Sequence, residues 1–338
     1  MTTVIFDYSK IDFEKPGKHH YQIAFHQDSS WGYSLVPMTV INGVRGPTST
    51  GVVAFGGTHG NEYEGQVAVK RLCYDLNPDE MSGRVILIPQ LSESACTANM
   101  RVSPLDGVNM NRAFPGNPTG TISYRISNFV TTQIFPQVRV VLDIHAGGNE
   151  AIFHLCTSFH PIPDPTQRAE IAEVAGLFDT PFILLYSSQM ASGLLTDQAE
   201  AMGKITIGGE FGFAQSINPK GTRHAYEGIK NVLRRYGLLP GEIVKIDPSR
   251  PKPPRFVQAI NLEDYVPCPR DGIWEPTVEL GADVKQGDLL GRLHDFSDHS
   301  SLPLEIRAHR SGVASVLHFA AQCKKGLTLY VICDDVQL

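Results

Sequence analysis

The chain is 338 residues long, 42% hydrophobic and 19% charged, which is enough for one large core with a smaller module beside it. Lysine and arginine total 29 against 35 acidic residues, a formal charge of -6, so bulk attraction to nucleic acid or anionic lipid is excluded. The longest apolar runs, 51–57 and 138–142, are strand-sized and far below the roughly 20 residues that cross a bilayer, so a soluble protein without membrane or nucleic-acid partners is expected.

Residues 1–18 mix Asp, Lys and Glu into apolar positions, unlike the continuous apolar stretch of a secretory signal. A cytoplasmic protein is expected. The six cysteines (Cys73, Cys96, Cys156, Cys268, Cys323, Cys333) are scattered without a C-x-x-C, which fits small core residues better than a thiol metal knuckle or redox pair. Strand-like runs at 52–55, 85–88, 138–144 and 205–207 alternate with helical patterns at 62–76, 123–135, 167–178 and 225–236. The alternation predicts an α/β fold, a mostly parallel or mixed sheet covered by helices on both faces.

Pro248, Pro251, Pro253 and Pro254 deny backbone donors to 247–255 and bias it toward extended geometry, so the domain boundary is placed there. A catalytic domain over 1–246 and a β-rich domain over 256–338 follow. Within 272–333, short Val- and Leu-bearing segments are punctuated by Gly281, Gly287, Gly291, Gly312 and Gly326, a pattern for a small all-β, barrel-like module. The run WEPTVELGADVKQGDLLGRL is similar to one half of a biotinyl or lipoyl carrier barrel. The later hairpin around 305–308 lacks the lysine such a carrier needs, so a structural or lid-forming barrel is expected.

The strand at 52–55 ends in GGTHGNEYEG, where glycines bracket His59 and Glu62 at a spacing of three. A loop at a strand's carboxyl end can aim both side chains at one point, and imidazole and carboxylate are standard zinc donors. An H-x-x-E pair alone arises often by chance. A second strand ending, DIHAGG, supplies His145 as the third donor, followed by glycines that permit close backbone approach. The strand at 205–207 runs into GGEFGF and delivers Glu210, a carboxyl whose burial would be costly without a cationic partner or a task. A raised pKa beside a metal-bound water would suit the task of a general base. Between these lies NMRVSPLDGVNMNRAFPG, with Arg101, Asn111 and Arg112; beside a zinc site, a guanidinium fork and an amide suit capture of a substrate carboxylate, and a second arginine suits stabilisation of an oxyanion.

H-x-x-E, then R and D-G-V-N-M-N-R, then D-I-H-A-G, then G-E-F-G, in that order over roughly residues 50 to 215, resembles the succinylglutamate desuccinylase and aspartoacylase family, itself similar to zinc carboxypeptidases. The resemblance implies one zinc held by His59, Glu62 and His145, with Glu210 activating water. It also implies Arg101 at the scissile carbonyl, with Asn111 and Arg112 on the α-carboxylate. The activity implied is hydrolysis of an N-acyl amino acid to a carboxylic acid and a free amino acid. The wording LDGVNMNRAFPG and GGEFGF is closer to the bacterial deacylases, which implies Nα-acetyl-L-2,4-diaminobutyrate, an intermediate of ectoine breakdown, with Glu150 as a candidate partner for its basic side chain. Aspartoacylase or succinylglutamate desuccinylase activity, peptide trimming by a carboxypeptidase, and a non-catalytic carboxylate-binding protein are the alternatives. One departure stands out: Asn109 replaces the acidic residue of D-x-N-R, and Asp143 either substitutes for it behind a zinc-bound His or faces a neighbouring helix.

The remaining histidines have blander readings. His19, His20, His26, His294, His299, His309 and His318 lie outside ligand spacing, while His154, His160 and His224 are candidates for lining a pocket. Trp31 and Trp274 are expected as packing anchors. Homo-oligomers are common among enzymes of this size.

Overall fold

Alternate residues of the central strands face two separate cores, and that arrangement sets the architecture. In the computed structural model, residues 2–28, 30–48, 50–187 and 192–337 are described. The first ten strands are β1 (Thr2–Ile5), β2 (Gly17–His26), β3 (Tyr33–Asn42), β4 (Val52–Gly56), β5 (Arg84–Ile88), β6 (Val140–Ile144), β7 (Ala151–Phe153), β8 (Cys156–Phe159), β9 (Phe182–Tyr186) and β10 (Ile205–Glu210). Nine more follow: β11 (Arg255–Ala259), β12 (Tyr265–Pro267), β13 (Gly272–Pro276), β14 (Asp283–Val284), β15 (Leu289–His294), β16 (Leu304–Arg307), β17 (Gly312–His318), β18 (Gln322–Cys323) and β19 (Thr328–Asp335). The helices are α1 (Tyr63–Asp75), α2 (Glu93–Ala98), α3 (Ile122–Phe129), α4 (Pro165–Gly176), α5 (Leu195–Ala201) and α6 (Pro219–Arg235).

Fifteen strands form one mixed sheet in the order β1-β2-β3-β5-β4-β6-β10-β8-β9-β11-β19-β17-β14, with β12 on β19 and β7 on β17. Strands β5, β4, β6 and β10 are mutually parallel and almost entirely buried, the pattern of a sheet covered on both faces. Val52 and Ala54 of β4 point into a core shared with α1, α4 and α6, whereas Val53 and Phe55 point into one shared with β2, β3, α3 and α5.

The predicted helices are present with shifted starts. Asp164 and Asn218 cap α4 and α6 and a proline occupies the first turn of each, so these helices begin two and six residues earlier than the periodicity suggested. The predicted helix at 123–135 is α3 followed by a π-helical turn (Val130–Ile134) and a 3-10 turn (Phe135–Gln137), since Pro136 cannot donate to continue the ladder. All six cysteines are free and buried. Trp274 is buried edge-on against Tyr330, with ring centroids 6.0 Å apart. Trp31 is fully exposed, so its expected anchoring role fails: it sits beyond β2, past the last covered position of the hairpin.

The β-rich C-terminal region divides between two sheets. Strands β13, β15, β16 and β18 make a separate antiparallel sheet, while β11, β12, β14, β17 and β19 extend the large one; among the described residues the strands do not close into a single ring. No described helix is long and apolar enough to cross a membrane.

Asp179 ties the proline-rich segment to the rest. Its carboxylate accepts from the backbone N–H of Ile246 (2.9 Å) and Asp247 (2.8 Å), from Lys245 Nζ (2.6 Å) and from Arg250. Burial alone would raise its pKa, but these donors outweigh it and hold the carboxyl below its usual range. Asp179→Asn is therefore expected to cost about 2 kcal/mol near neutrality. Because the folded pKa is the lower one, the gap between wild type and variant should be full above about pH 4 and close as pH falls through the folded value; urea melts across pH 3 to 7 check this.

Candidate active site

Three adjacent parallel strands end at one edge of the sheet. β4 leads into the loop carrying His59, β6 is followed at once by His145, and β10 terminates in Glu210. The β6–β10 pairing continues one step past β6, with His145 N donating to Gly209 O (3.0 Å) and Phe211 N to His145 O (3.0 Å). Helix α1 begins hard against the same strands. A Cβ on Gly65 would lie 2.4 Å from Ile144 O, and one on Gly56 would lie 2.5 Å from the Gly65 carbonyl carbon, so only glycine permits this approach. Glu62 precedes the helix in extended conformation and makes no capping bond; its side chain turns to the histidines instead.

The carboxylate of Glu62 bridges both imidazoles, Oε1 lying 2.8 Å from His59 Nδ1 and Oε2 2.9 Å from His145 Nδ1. Ala146 N donates to Oε2 (3.0 Å) and the Arg101 guanidinium to Oε1 (3.1 Å). Each imidazole is backed on its other nitrogen. His59 Nε2 lies 3.0 Å from Asn109 Oδ1, which also accepts from Asn111 N (2.9 Å), and His145 Nε2 lies 2.7 Å from Asp143 Oδ2. Asn109 thus takes the place of the missing acid behind His59, and Asp143, which also accepts from Thr58 Oγ1 (2.6 Å), backs the other histidine. Both Nδ1 atoms are left on the inner side, and the donor atoms of His59, Glu62 and His145 all lie within 4.8 Å of one another. Two imidazoles with a carboxylate, each oriented by its own partner, can hold a divalent cation.

Electrostatics separates the two carboxyls of this edge. Burial disfavours the charged form of Glu62, yet the flanking His59 and His145 hold its pKa well below the usual carboxylate range. Burial and the nearby Glu62 charge push Glu210 up to about 8, and its Oε2 is buried without a hydrogen-bond partner among the described residues. Burial pulls the pKa of His59 down; for His145 the neighbouring Asp143 and Glu62 carboxylates overcome burial and push it up.

All seven residues singled out in the sequence, His59, Glu62, Arg101, Asn111, Arg112, His145 and Glu210, border one cavity of about 510 Å³. Asn111 Oδ1 accepts from Leu195 N (2.8 Å), which fixes the amide. Its Nδ2 stands 3.4 Å from His145 Nε2, whose proton is engaged by Asp143, so the amide N–H groups remain for a ligand. Arg112 donates to Asn111 O (2.6 Å) at the rim, and partial desolvation together with Arg101 lowers its pKa, which an anion would relieve.

Sequence reasoning missed the far wall. Tyr186 at the end of β9, Tyr265, Val316, His318 and Thr328 also border the cavity, the last four from C-terminal strands with no motif of their own. His318 therefore belongs at the pocket, contrary to its bland reading. His154, His160 and His224 do not border it: His154 stacks on Phe182, His224 Nδ1 donates to Phe178 O (2.9 Å), and His160 pairs with Glu200 (2.8 Å). Asp197 completes a small cluster with that pair, while Thr206 Oγ1 donates to Glu200 (2.6 Å).

Comparison with known proteins places these observations. Residues 49–236 match the model of the succinylglutamate desuccinylase/aspartoacylase catalytic domain. The chain is 34% identical to the N-alpha-acetyl-L-2,4-diaminobutyric acid deacetylase of Halomonas elongata, over 97% of this chain and 94% of that one. A succinylglutamate desuccinylase/aspartoacylase structure from Rhodobacter sphaeroides superposes with a TM-score of 0.91 at 30% identity, covering 97% of this chain and 98% of that one. The product-bound ectoine utilization protein EutE (DoeB) of Ruegeria pomeroyi gives 0.88 at 29% identity, covering 96% and 98%.

Asp143→Asn, which keeps the volume behind His145 and removes the charge, is expected to weaken divalent-metal affinity roughly 10- to 100-fold in a chelator competition. His59→Ala should leave purified protein without stoichiometric metal by elemental analysis; a full complement would overturn the ligand set.

Proposed function

The chain belongs to the succinylglutamate desuccinylase/aspartoacylase family, and we propose that it hydrolyses the amide bond of Nα-acetyl-L-2,4-diaminobutyrate to acetate and L-2,4-diaminobutyrate. The observation that carries the chemistry is the unpartnered, buried Oε2 of Glu210 beside the group formed by His59, Glu62 and His145. The substrate rests on kinship with the Halomonas elongata deacetylase and on likeness to the product-bound ectoine utilization protein.

His59, Glu62 and His145 would hold zinc, for which this donor set with an open position is the hydrolytic arrangement. When bound, zinc supplies polarisation of the acyl carbonyl and lowers the pKa of the attacking water. Glu210 accepts the proton that water loses as the new C–O bond forms, and returns it to the amine nitrogen as the C–N bond breaks. A pKa raised by burial suits both halves of that shuttle. Arg101 spends one donor on Glu62 and keeps others for the developing oxyanion. Asn111 and Arg112 hold the α-carboxylate.

In this reading residues 1–246 carry the catalytic group, 247–255 link, and 256–338 supply a wall. Because Tyr265, Val316 and Thr328 close one side of the cavity, the space suits a small acyl amino acid and not an open polypeptide groove.

Glu210→Gln should retain metal while turnover falls by about two orders of magnitude or more; unchanged turnover removes Glu210 from the mechanism. Steady-state kinetics should give the acetyl-diaminobutyrate substrate a kcat/KM at least about tenfold above acetyl-aspartate and succinyl-glutamate. Comparable values for all three would defeat the substrate assignment.

A further inference from the structure

Most charged groups around the cavity have partners or the tasks assigned above. Glu62 is shared by two imidazoles and Arg101, Asp143 by Thr58 and His145, and Arg112 lies at the rim beside Arg101. One carboxylate is left over. Glu150 borders the cavity, and its carboxylate has neither a hydrogen-bond nor an ion-pair partner among the described residues.

Its position is fixed relative to the metal-ligating group. The turn that carries it starts two residues after His145: Gly147 N donates to Gly212 O (2.8 Å), and the N–H groups of Glu150 and Ala151 both donate to Gly147 O (3.1 Å each). A Cβ on Gly147 would fall 1.9 Å from Ala151 O, so the turn is folded tightly upon itself. On the other side Glu150 O accepts from Phe319 N (3.3 Å), and Ala151 stands directly opposite His318 in the β7–β17 ladder. His318 also borders the cavity, and its Nε2 is buried without a partner among the described residues. Around these two polar groups the wall is apolar, made by Ala151, Phe153, Val316 and Val331.

The lining of the cavity therefore carries charge of both signs, cationic at Arg101 and Arg112 and anionic at Glu150. We infer that Glu150, assisted by His318, is the subsite for a positively charged side chain on the amino acid released, and so determines specificity within this site; the inference rests on the functional reading above. A carboxylate and a neutral imidazole nitrogen both accept from an ammonium, and the tight turn sets how far that ammonium can stand from the scissile amide. Exposure of Glu150 to solvent keeps the expected discrimination near tenfold and well below that of a fully buried pair.

Two substrates isolate the charge: Nα-acetyl-L-2,4-diaminobutyrate and Nα-acetyl-L-norvaline, in which a methyl replaces the ammonium. Wild-type enzyme should favour the cationic substrate. Glu150→Gln should lower the ratio of the two kcat/KM values about tenfold or more, mostly through KM for the cationic substrate, with Glu150→Asp restoring part of it. Metal content and thermal melting of each variant establish that the fold and the ligand group are intact. A ratio unmoved in Glu150→Gln overturns the inference while leaving amide hydrolysis standing, as does a wild-type preference for the norvaline compound. A wild-type enzyme that cleaves neither substrate overturns the functional reading, and the subsite with it.

Discussion

Glu62 accepts from two imidazoles, a backbone amide and a guanidinium at once, and the geometry of the edge follows from keeping that buried charge satisfied. His59 and Ala146 come from loops after different strands, and Glu62 itself opens a helix. The three converge only because α1 rests on β4 and β6 at the Gly56 and Gly65 contacts. A side chain at either position would push the helix outward and carry the carboxylate away from both rings. The close backbone packing and the polar cluster are thus one constraint seen from two sides, steric beneath and electrostatic above.

That constraint also explains how two carboxyls on one edge differ in proton affinity. Glu62 accepts from two imidazoles, a guanidinium and a backbone N–H, and its pKa lies below the usual carboxylate range. Glu210, on the next strand but one, is buried with an unpartnered oxygen and feels the Glu62 charge, which raises its proton affinity. The environment, not the residue type, suits one carboxyl to the ligand role and the other to the proton-carrying role proposed for them.

The parts of the fold legible in the sequence were those whose physics is local. Continuous apolar runs gave the parallel strands, and glycines flanking His59, His145 and Glu210 marked strand ends where side chains can converge. Helix starts were misjudged where a proline and a capping Asn or Asp, as at Asn218–Pro219, extend the helix beyond its apolar stripe. The roles of Asn109 and Asp143 needed coordinates, because which imidazole each one backs depends on ring orientation. His318 was illegible for a stronger reason. It reaches the cavity through β17 pairing with β7, a ladder between segments more than 150 residues apart with no short-range signature. Trp31 shows the converse error, since a large aromatic residue reads as core until it is seen to lie in the exposed connection between the paired strands β2 and β3.

The division of the cavity between early and late parts of the chain has a consequence for synthesis. The ligand group and Glu210 are complete once residue 210 has left the ribosome, but β17 and β19, which close the far side, come more than 100 residues later. During that interval a nascent chain carries the residues proposed for hydrolysis without the strands that wall the cavity. The wall is the last part to be made, since its final strand lies between β11 and β17; ribosome-stalled chains of graded length are expected to show reactivity before discrimination.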